Sequence, residues 1–345
     1  MVKIVLALIK GVRVLVSLAL HPALPASALL FLVLRPAQAT AITRSWPIGT
    51  HKLRYVLSTM LGLGLGSRIN GFLNRWATNN WSTQPQDGWQ WDREIAVVTG
   101  GCSGIGKSMV LGLAQKGIRV AILDVQNLPD DLSEIPVVSY WKCDVTSSAS
   151  IHEAANGIRE KLGNPSILIN NAGIANMGSI IDIPEEKLRK LLDVNLISHW
   201  STVKEFLPSM IAQNKGHIVT VASMASFLVV PTAVDYSTSK AGALAFHEGL
   251  TAEIKHVYKA PGVVTSVAHP TWVSTPMTAP ASDAIEKHHG KMMTPDHVAG
   301  RILSQIFSRR GGQLIIPDQL SWVSGIRGFP NWMQEVIRDG TGIRG

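Results

Sequence analysis

The sequence predicts an α/β fold built on a doubly wound parallel sheet, and three observations carry that prediction. Glu94 to Leu123 reads as strand, glycine turn, helix and second strand. Strand and helix patterns then alternate as far as Ile316. With 345 residues, the chain holds one such domain of about 250 and leaves a long stretch in front of it.

The elements follow in order. Glu94-Ile95-Ala96-Val97-Val98-Thr99 is a short apolar strand that runs straight into Gly100-Gly101-Cys102-Ser103-Gly104-Ile105-Gly106. Met109, Leu113 and Ala114 then recur at helical spacing until Gly117, which suits a helix C-terminus, and Ile118 to Leu123 forms the second strand. Glycines at this turn let a backbone approach a pyrophosphate closely, and the helix start offers it unpaired N–H groups and a positive dipole end. A third strand ends before Asp144-Val145, and a fourth closes on Asn170-Asn171-Ala172-Gly173. Helices are expected near 147–162, 185–213, 236–258 and 296–308, a sixth strand before His269-Pro270, and a last strand at Gln313 to Ile316. No internal repeat is evident.

Tyr236-Ser237-Thr238-Ser239-Lys240 carries the chemistry. Residues four apart on a helix share a face. A phenol of ordinary pKa near 10 is a poor base at neutral pH, and an ammonium held beside it favours the phenolate and brings it into a useful range.

Taken together, the glycine turn, the Asn170 to Gly173 motif and the Tyr236/Lys240 pair resemble the short-chain dehydrogenase/reductase family over about residues 92 to 318. The resemblance implies a Rossmann-type fold and assigns Thr99, Gly100, Ser103, Gly104, Ile105 and Gly106 to the cofactor turn. It assigns Asn171, Ala172 and Gly173 to the motif after strand four, and Asp144 and Val145 to the adenine. It also implies a catalytic tetrad of Ser223, which precedes Tyr236 by 13 residues, Tyr236, Lys240 and Asn195. In the implied mechanism Tyr236 exchanges a proton with the substrate oxygen while a hydride passes to or from the nicotinamide. Ser223 hydrogen-bonds that oxygen, Lys240 holds the nicotinamide ribose and lowers the Tyr236 pKa, and Asn195 anchors a water that links Lys240 to solvent.

Charge bears on the cofactor. A carboxylate repels the 2′-phosphate of NADP and can accept a hydrogen bond from the 2′-hydroxyl of NAD. Asp124 ends the second strand, Val125 and Gln126 follow it, and Ser103 stands where a basic residue would favour NADP. NAD is therefore expected, with NADP as the alternative; Lys107 is close enough in sequence to reach a phosphate. Asp124 also suits a simple turn residue.

After strand six the family's Pro-Gly is replaced by His269-Pro270-Thr271. Val273 and Thr275 still match positions that hold the nicotinamide carboxamide and Pro270 is assigned to cofactor binding, while Thr271 removes backbone freedom that a glycine would give. The His-Pro version resembles a lipid-directed branch of the family. His269 reads as a packed strand-end residue, and His288-His289 has no third ligand at metal spacing, so no metal is expected. Pro276 to Met293 reads as an irregular, helix-poor substrate loop.

The stretch ahead of the domain is basic and apolar. Residues 1 to 90 hold nine Lys and Arg against Asp87, which accounts for the whole formal charge of +8; the remainder carries 23 of each sign. Ile4 to Leu20, Leu24 to Leu34 and Val56 to Leu65 are apolar runs, the first two separated by Pro22 and Pro25. On a helical wheel Lys3, Lys10, Arg13, Ser17 and His21 fall within about 80° of one another. The runs are shorter than the ~20 apolar residues of a spanning helix, which favours a hairpin or interfacial anchor. Trp46, Trp76, Trp81, Trp89 and Trp91 suit a headgroup-level belt, and a helical layer packed on the domain is the competing reading. Nucleic acid is not expected as a partner.

Ala37-Gln38-Ala39 offers a signal-peptidase site, which Arg35-Pro36 disturbs, and Asn80-Trp81-Ser82 is a glycosylation sequon only in a lumen. Cys102 and Cys143 are the two cysteines, too few for a disulfide framework. The expected organisation is a membrane-associated extension over 1–91, a catalytic domain over 92–318 and a tail over 319–345. The tail, with Trp322, Ile326, Phe329 and Trp332, is either a pocket wall or a second membrane contact. The domain is expected to face the cytosol on the endoplasmic reticulum or a lipid droplet, as for the retinol and 17β-hydroxysteroid dehydrogenases it most resembles. A homodimer through helices 185–213 and 236–258 is implied by the family. Three functions follow: an NAD-dependent dehydrogenase of lipophilic alcohols, an NADPH-dependent reductase of lipid or polyketide-type ketones, and a catalytically idle lipid-droplet scaffold.

Overall fold

The computed structural model describes residues 21–44 and 46–341. The apolar run Ile4 to Leu20 lies outside them. The chain divides into two compact units between Ala77 and Thr78.

The second unit holds a seven-stranded sheet in the order β3-β2-β1-β4-β5-β6-β7. The strands are β1 Ile95–Thr99, β2 Arg119–Asp124, β3 Val138–Lys142, β4 Ile167–Asn170, β5 Gly216–Val221, β6 Val263–Pro270 and β7 Gly312–Ile316. Every neighbouring pair is parallel. Parallel strands need crossovers, so each face of the sheet receives helices, and strands covered on both faces read as apolar runs.

Alternation within β1 shows the two layers. Ala96 and Val98 point into one core with Met109, Leu113, Val298 and Ile302, while Val97 points into the other with Ile158, Phe206 and Leu250. The first core lies under the helices Gly104–Gln115 and Pro295–Phe307. The second lies under Ser148–Lys161, Ser198–Gln213 and Val234–His256. Ser147 and Thr294 start two of these helices by accepting the backbone N–H of Ser150 and His297 through their hydroxyls, both at 3.2 Å.

Two elements differ from the sequence reading. The helix expected over 185–213 is Glu185–Leu192 and Ser198–Gln213 joined by a π-helical turn at Asp193–Ile197. Hydrophobic periodicity passes through one inserted residue without a visible break, which is why the pattern looks continuous. The stretch 276–293 is not helix-poor, because Ser282–His289 is an α-helix with Ile285 buried beneath it.

The tail belongs to the same unit as the sheet. A 3₁₀ segment at Asp318–Gly328 buries Val323 and Ile326 against Met224 and Phe227, with Phe329 packed beside them, while Trp322 and Trp332 are exposed. Trp89 and Trp91 also pack on this unit's core, 5.4 Å apart, with Trp91 5.2 Å from Phe307. They are domain packing residues rather than members of a tryptophan row. Asn80 of the sequon donates to the Pro261 and Val263 carbonyls, both at 3.4 Å, and has a left-handed φ of 54°.

The first unit is helical. α1 Ala23–Leu34 and α2 Pro36–Thr43 are bent by 110° at Arg35, and α3 runs over Thr50–Thr78. Pro36 cannot donate to α1, so the helix ends before it. Among the described residues no single helix is long and apolar enough to cross a membrane; the bent pair α1 and α2 meets the test of length and composition jointly.

Candidate active site

The site is built at the C-terminal edge of the sheet, where strand order reverses between β1 and β4 and leaves a crevice. Its first part is the turn after β1. Gly100 has φ +66°, and a Cβ there would lie 2.9 Å from Ala172 Cα. A Cβ on Gly106 would stand 2.0 Å from the Gly100 carbonyl oxygen. Both positions therefore admit only glycine. Ser103, in extended backbone, precedes the helix but makes no side-chain bond to its first turn. The first N–H groups of this helix therefore have no side-chain cap, a condition that suits a phosphate. Gly104 has φ +53° and sits beside Thr275, whose Cγ2 a Cβ would meet at 3.2 Å.

The turn is braced across the crevice. Thr99 Oγ1 accepts the backbone N–H of Asn171 and of Ala172, both at 3.0 Å, and Asn171 Nδ2 donates to the Thr99 and Gly100 carbonyls, both at 3.0 Å. The role of Asn171 here is to hold the glycine turn. Gly173 faces the other half of the site: a Cβ on it would lie 3.4 Å from Asn195 Oδ1 and 3.7 Å from Lys240 Nζ.

Asp124 is buried at the end of β2. Its Oδ2 accepts from Cys102 N and its Oδ1 from Gln126 N, both at 2.9 Å. These two bonds tie β2 to the glycine turn, and a carboxylate oxygen that accepts one bond retains a further lone pair. The Cys102 thiol is pushed up to about 12 by burial and by the Asp124 charge, so it stays protonated. Lys107 pairs with Asp131 at 2.7 Å. Asp144, exposed after β3, takes the Thr146 N–H and hydroxyl at 2.9 and 2.8 Å, and Val145 is buried.

On the β4–β6 side, Tyr236 and Lys240 lie in the helix Val234–His256, as their spacing implied. Lys240 is buried, donates to the Val221 carbonyl at 2.8 Å and lies 5.7 Å from the Tyr236 ring centroid. Burial lowers its pKa to about 8. The Tyr236 phenol is raised by burial, and the Ser223 hydroxyl is the neighbour that works against this. Lys240 is not among the neighbours that set this direction; its ammonium is engaged by the Val221 carbonyl.

Ser223 caps a short 3₁₀ turn after β5, its hydroxyl accepting from Ala225 N at 3.1 Å. His269 holds it from behind: Nδ1 lies 3.0 Å from the Ser223 carbonyl oxygen, Nε2 lies 3.3 Å from Gln313 Nε2, and the ring is wholly buried. A carbonyl accepts, so Nδ1 carries the proton and Nε2 accepts. Burial lowers this histidine to about 4 and keeps it neutral. Asn195 is wholly buried in the π turn. Its Oδ1 accepts from Ile174 N at 2.8 Å, and its Nδ2 donates to Ile174 O at 2.9 Å and to Ser239 Oγ at 3.1 Å.

Thr271 is accommodated after Pro270. It is absent from the left-handed residues, and its N–H donates to the Ile316 carbonyl at 3.0 Å. Val273 is buried and bridges to Met293. One pair escaped the sequence reading. Asp235 is buried, accepts the Tyr236 N–H at 2.7 Å and receives Asn176 Nδ2 at 2.9 Å. An acidic residue in a helix's first turn was a visible signal for it. Among the described residues no group of His, Cys, Asp or Glu could hold a metal ion.

An uncapped helix start after the glycine turn, with a half-buried tyrosine and a buried lysine on the other side of the switch point, suits an oxidoreductase that uses a dinucleotide. Residues 94–286 match the family model described as short chain dehydrogenase. The chain belongs to that family and is an oxidoreductase that employs a nicotinamide cofactor. It is 40% identical over 209 residues to Dehydrogenase RED2 of Cochliobolus heterostrophus, covering 61% of this chain and 78% of the relative. It is 29% identical over 234 residues to 17-beta-hydroxysteroid dehydrogenase 13 of Rattus norvegicus, covering 66% and 76%. The fold matches the ligand-free aldohexose dehydrogenase of Thermoplasma acidophilum with a TM-score of 0.57 at 22% identity, over 65% of this chain and 92% of that one.

Proposed function

We propose that the chain is a membrane-associated dehydrogenase of lipophilic alcohols that prefers NAD. The observation that carries the chemistry is the grouping of Tyr236, Lys240 and the Ser223 hydroxyl at the strand ends facing the glycine turn. When bound, the nicotinamide supplies the hydride acceptor or donor. Gly100, Ser103, Gly104, Ile105 and Gly106 receive its pyrophosphate, Asp144 and Val145 the adenine, and Asn171, Ala172, Gly173, Pro270, Val273 and Thr275 the nicotinamide end. Tyr236 exchanges a proton with the substrate oxygen, and Ser223 hydrogen-bonds that oxygen. Lys240 binds the ribose and, as a buried cation, offsets charge that develops on the phenol. Asn195 fixes the backbone at Ile174 beside Lys240 and supports proton exchange with solvent.

NAD is supported by the buried Asp124 carboxylate and by the engagement of Lys107 with Asp131, which turns the nearest cation of the turn away from a 2′-phosphate. A lipophilic substrate is supported by the steroid named for one relative and by exposed aliphatic side chains on the loops after β4 and β5, among them Met177, Ile180, Ile181 and Val229. Ile181 is 94% exposed, and such a residue costs little where the surroundings are hydrocarbon. Membrane residence, on the endoplasmic reticulum or a lipid droplet, is supported by the basic apolar first unit. Exposed Ile197 and Trp200 on the segment 193–213 suit a second copy of the chain. We take residues 1–91 as the membrane-associated extension, 92–318 as the catalytic domain and 319–345 as its tail.

The test is turnover by the purified, detergent-solubilised chain offered NAD+ or NADP+ with a panel of long-chain, steroid and retinoid alcohols. Reduction of NAD+ in preference to NADP+ is expected. Turnover with NADP+ alone removes the cofactor assignment, and no turnover with any alcohol or corresponding ketone removes the catalytic one.

A further inference from the structure

We propose that the first unit docks in the plane of an anionic lipid surface rather than crossing a bilayer; this rests on the membrane reading above and adds its lipid chemistry and geometry. Residues 1–77 contain all nine basic residues of the extension and no Asp or Glu. Arg35, Arg44, Lys52, Arg54 and Arg68 therefore have no carboxylate within their own unit, and the charge that balances them comes from outside it.

Two hydrogen bonds set the arrangement of the cations. Arg54 Nη2 donates to the Leu32 carbonyl at 2.9 Å, and Arg68 Nη2 lies 2.6 Å from His21 Nε2. The contacts at 54 with 32 and 68 with 21 run in opposite senses, so α1 lies antiparallel to the first half of α3. Arg35, Arg44, Lys52 and Arg54 gather at the connecting end of this hairpin, and Arg68 at the other.

Between the two ends the hairpin is apolar and unburied. Leu30, Val33 and Leu34 on α1 are 58–66% exposed, and Tyr55 and Leu63 on α3 are 65% and 59% exposed. Only one face of α3 is covered, the one that carries Leu53, Leu57 and Gly64. The exposed side chains of this middle stretch are mostly aliphatic, with Ser58 and Thr59 between them, and such a surface suits hydrocarbon better than water. Phe31, Leu32, Ile42, Trp46 and Leu57, with Thr43 among them, line a recess of about 150 Å³. A mainly apolar recess suits hydrocarbon better than a nucleic acid or an acidic protein.

Length decides the orientation. The uncharged stretch of α3 from Tyr55 to Ser67 spans about 20 Å at 1.5 Å per residue, against a hydrocarbon core of about 30 Å. Cations at both ends of so short a waist reach the headgroups together only if the hairpin lies flat.

Flotation of the full chain with vesicles tests this. Vesicles of phosphatidylcholine alone are compared with vesicles in which about a third of the lipid is phosphatidylserine, with a chain carrying Gln at Arg35, Arg44, Lys52 and Arg54 alongside. At low salt we expect at least tenfold stronger binding to the anionic vesicles, a loss of most of that gain in high salt, and no preference in the Gln variant. Unchanged turnover of a short soluble alcohol shows that the variant is folded. Equal binding to both vesicle types overturns the anionic assignment and leaves the membrane reading standing; binding to neither overturns both. Competition by heparin as effective as that by anionic vesicles overturns the lipid partner. Resistance of the bound chain to alkaline carbonate extraction overturns the in-plane geometry.

Discussion

The two compact units solve opposite problems with the same apolar side chains. In the second unit Val97, Leu113, Ile169 and Ile302 are wholly buried between sheet and helices, and residues 91–345 carry equal numbers of each charge. In the first unit residues of the same kind stand exposed among unbalanced cations. A water-facing surface made in that way would associate nonspecifically. The contrast teaches that burial within the chain is the measure of a domain's solvent: one unit is closed against water, and the other leaves its apolar side chains open, as the proposed lipid surface would require.

That contrast implies that chemistry and surface binding can be broken separately. Tyr236→Phe removes the phenolic proton and is expected to lower kcat about a thousandfold while vesicle binding is unchanged; a fall below tenfold in steady-state turnover would place the proton exchange elsewhere. Gly106→Ala drives a Cβ into the Gly100 carbonyl. Dinucleotide affinity, read from the fluorescence of bound NADH, should weaken about a hundredfold or the domain should melt early. Asp124→Ser should shift the ratio of kcat/KM for NAD+ over NADP+ about tenfold or more toward NADP+, and an unchanged ratio would mean that the carboxylate serves only Cys102 and Gln126.

Acid sharpens the contrast from the side of stability. His199, His217 and His247 are lowered to about 3, and His269 to about 4, in each case chiefly by burial. Above pH 6.5 both folded and unfolded chains hold them neutral, and they contribute nothing to the pH dependence. Below 6.5 the unfolded chain takes up protons that the folded chain refuses. Stability then falls by about 1 kcal/mol per histidine in the first pH unit and continues to fall toward the folded values. Thermal melts between pH 7 and 5 should show the loss, and His217→Gln should flatten it. The smallest effect belongs to Thr271→Gly. With no left-handed backbone to relieve, kcat/KM should stay within about twofold, and a larger gain would show strain in the loop.

Much of the site was legible in the sequence because its constraints are local. Gly106 answers to the Gly100 carbonyl within one turn, Gly100 and Gly104 to left-handed backbone in the same turn, and Tyr236 and Lys240 to one helix. What was hidden depends on residues far apart in the chain. The π turn at Asn195 exists because its amide closes onto Ile174, and Asp124 is occupied by Cys102 and Gln126. Trp89 and Trp91 resemble interface residues in composition and are claimed by Phe307 and the sheet's core. The Val221 carbonyl that accepts from the Lys240 ammonium belongs to β5, and no spacing around Tyr236 announces it.

The Thr99 hydroxyl, carried at the end of β1 and bonded to the backbone that leaves β4, is a seam between two halves of the site. On the proposed reading, the residues that discriminate one dinucleotide from another stand on or after β1, β2 and β3, and those that meet the substrate follow β4, β5 and β6. Each half can diversify without disturbing the other, so long as the seam at Thr99, Gly100 and Asn171 is left alone. On that reading a change of substrate and a change of cofactor are separable steps, and the Thr99 oxygen is the pin that both share.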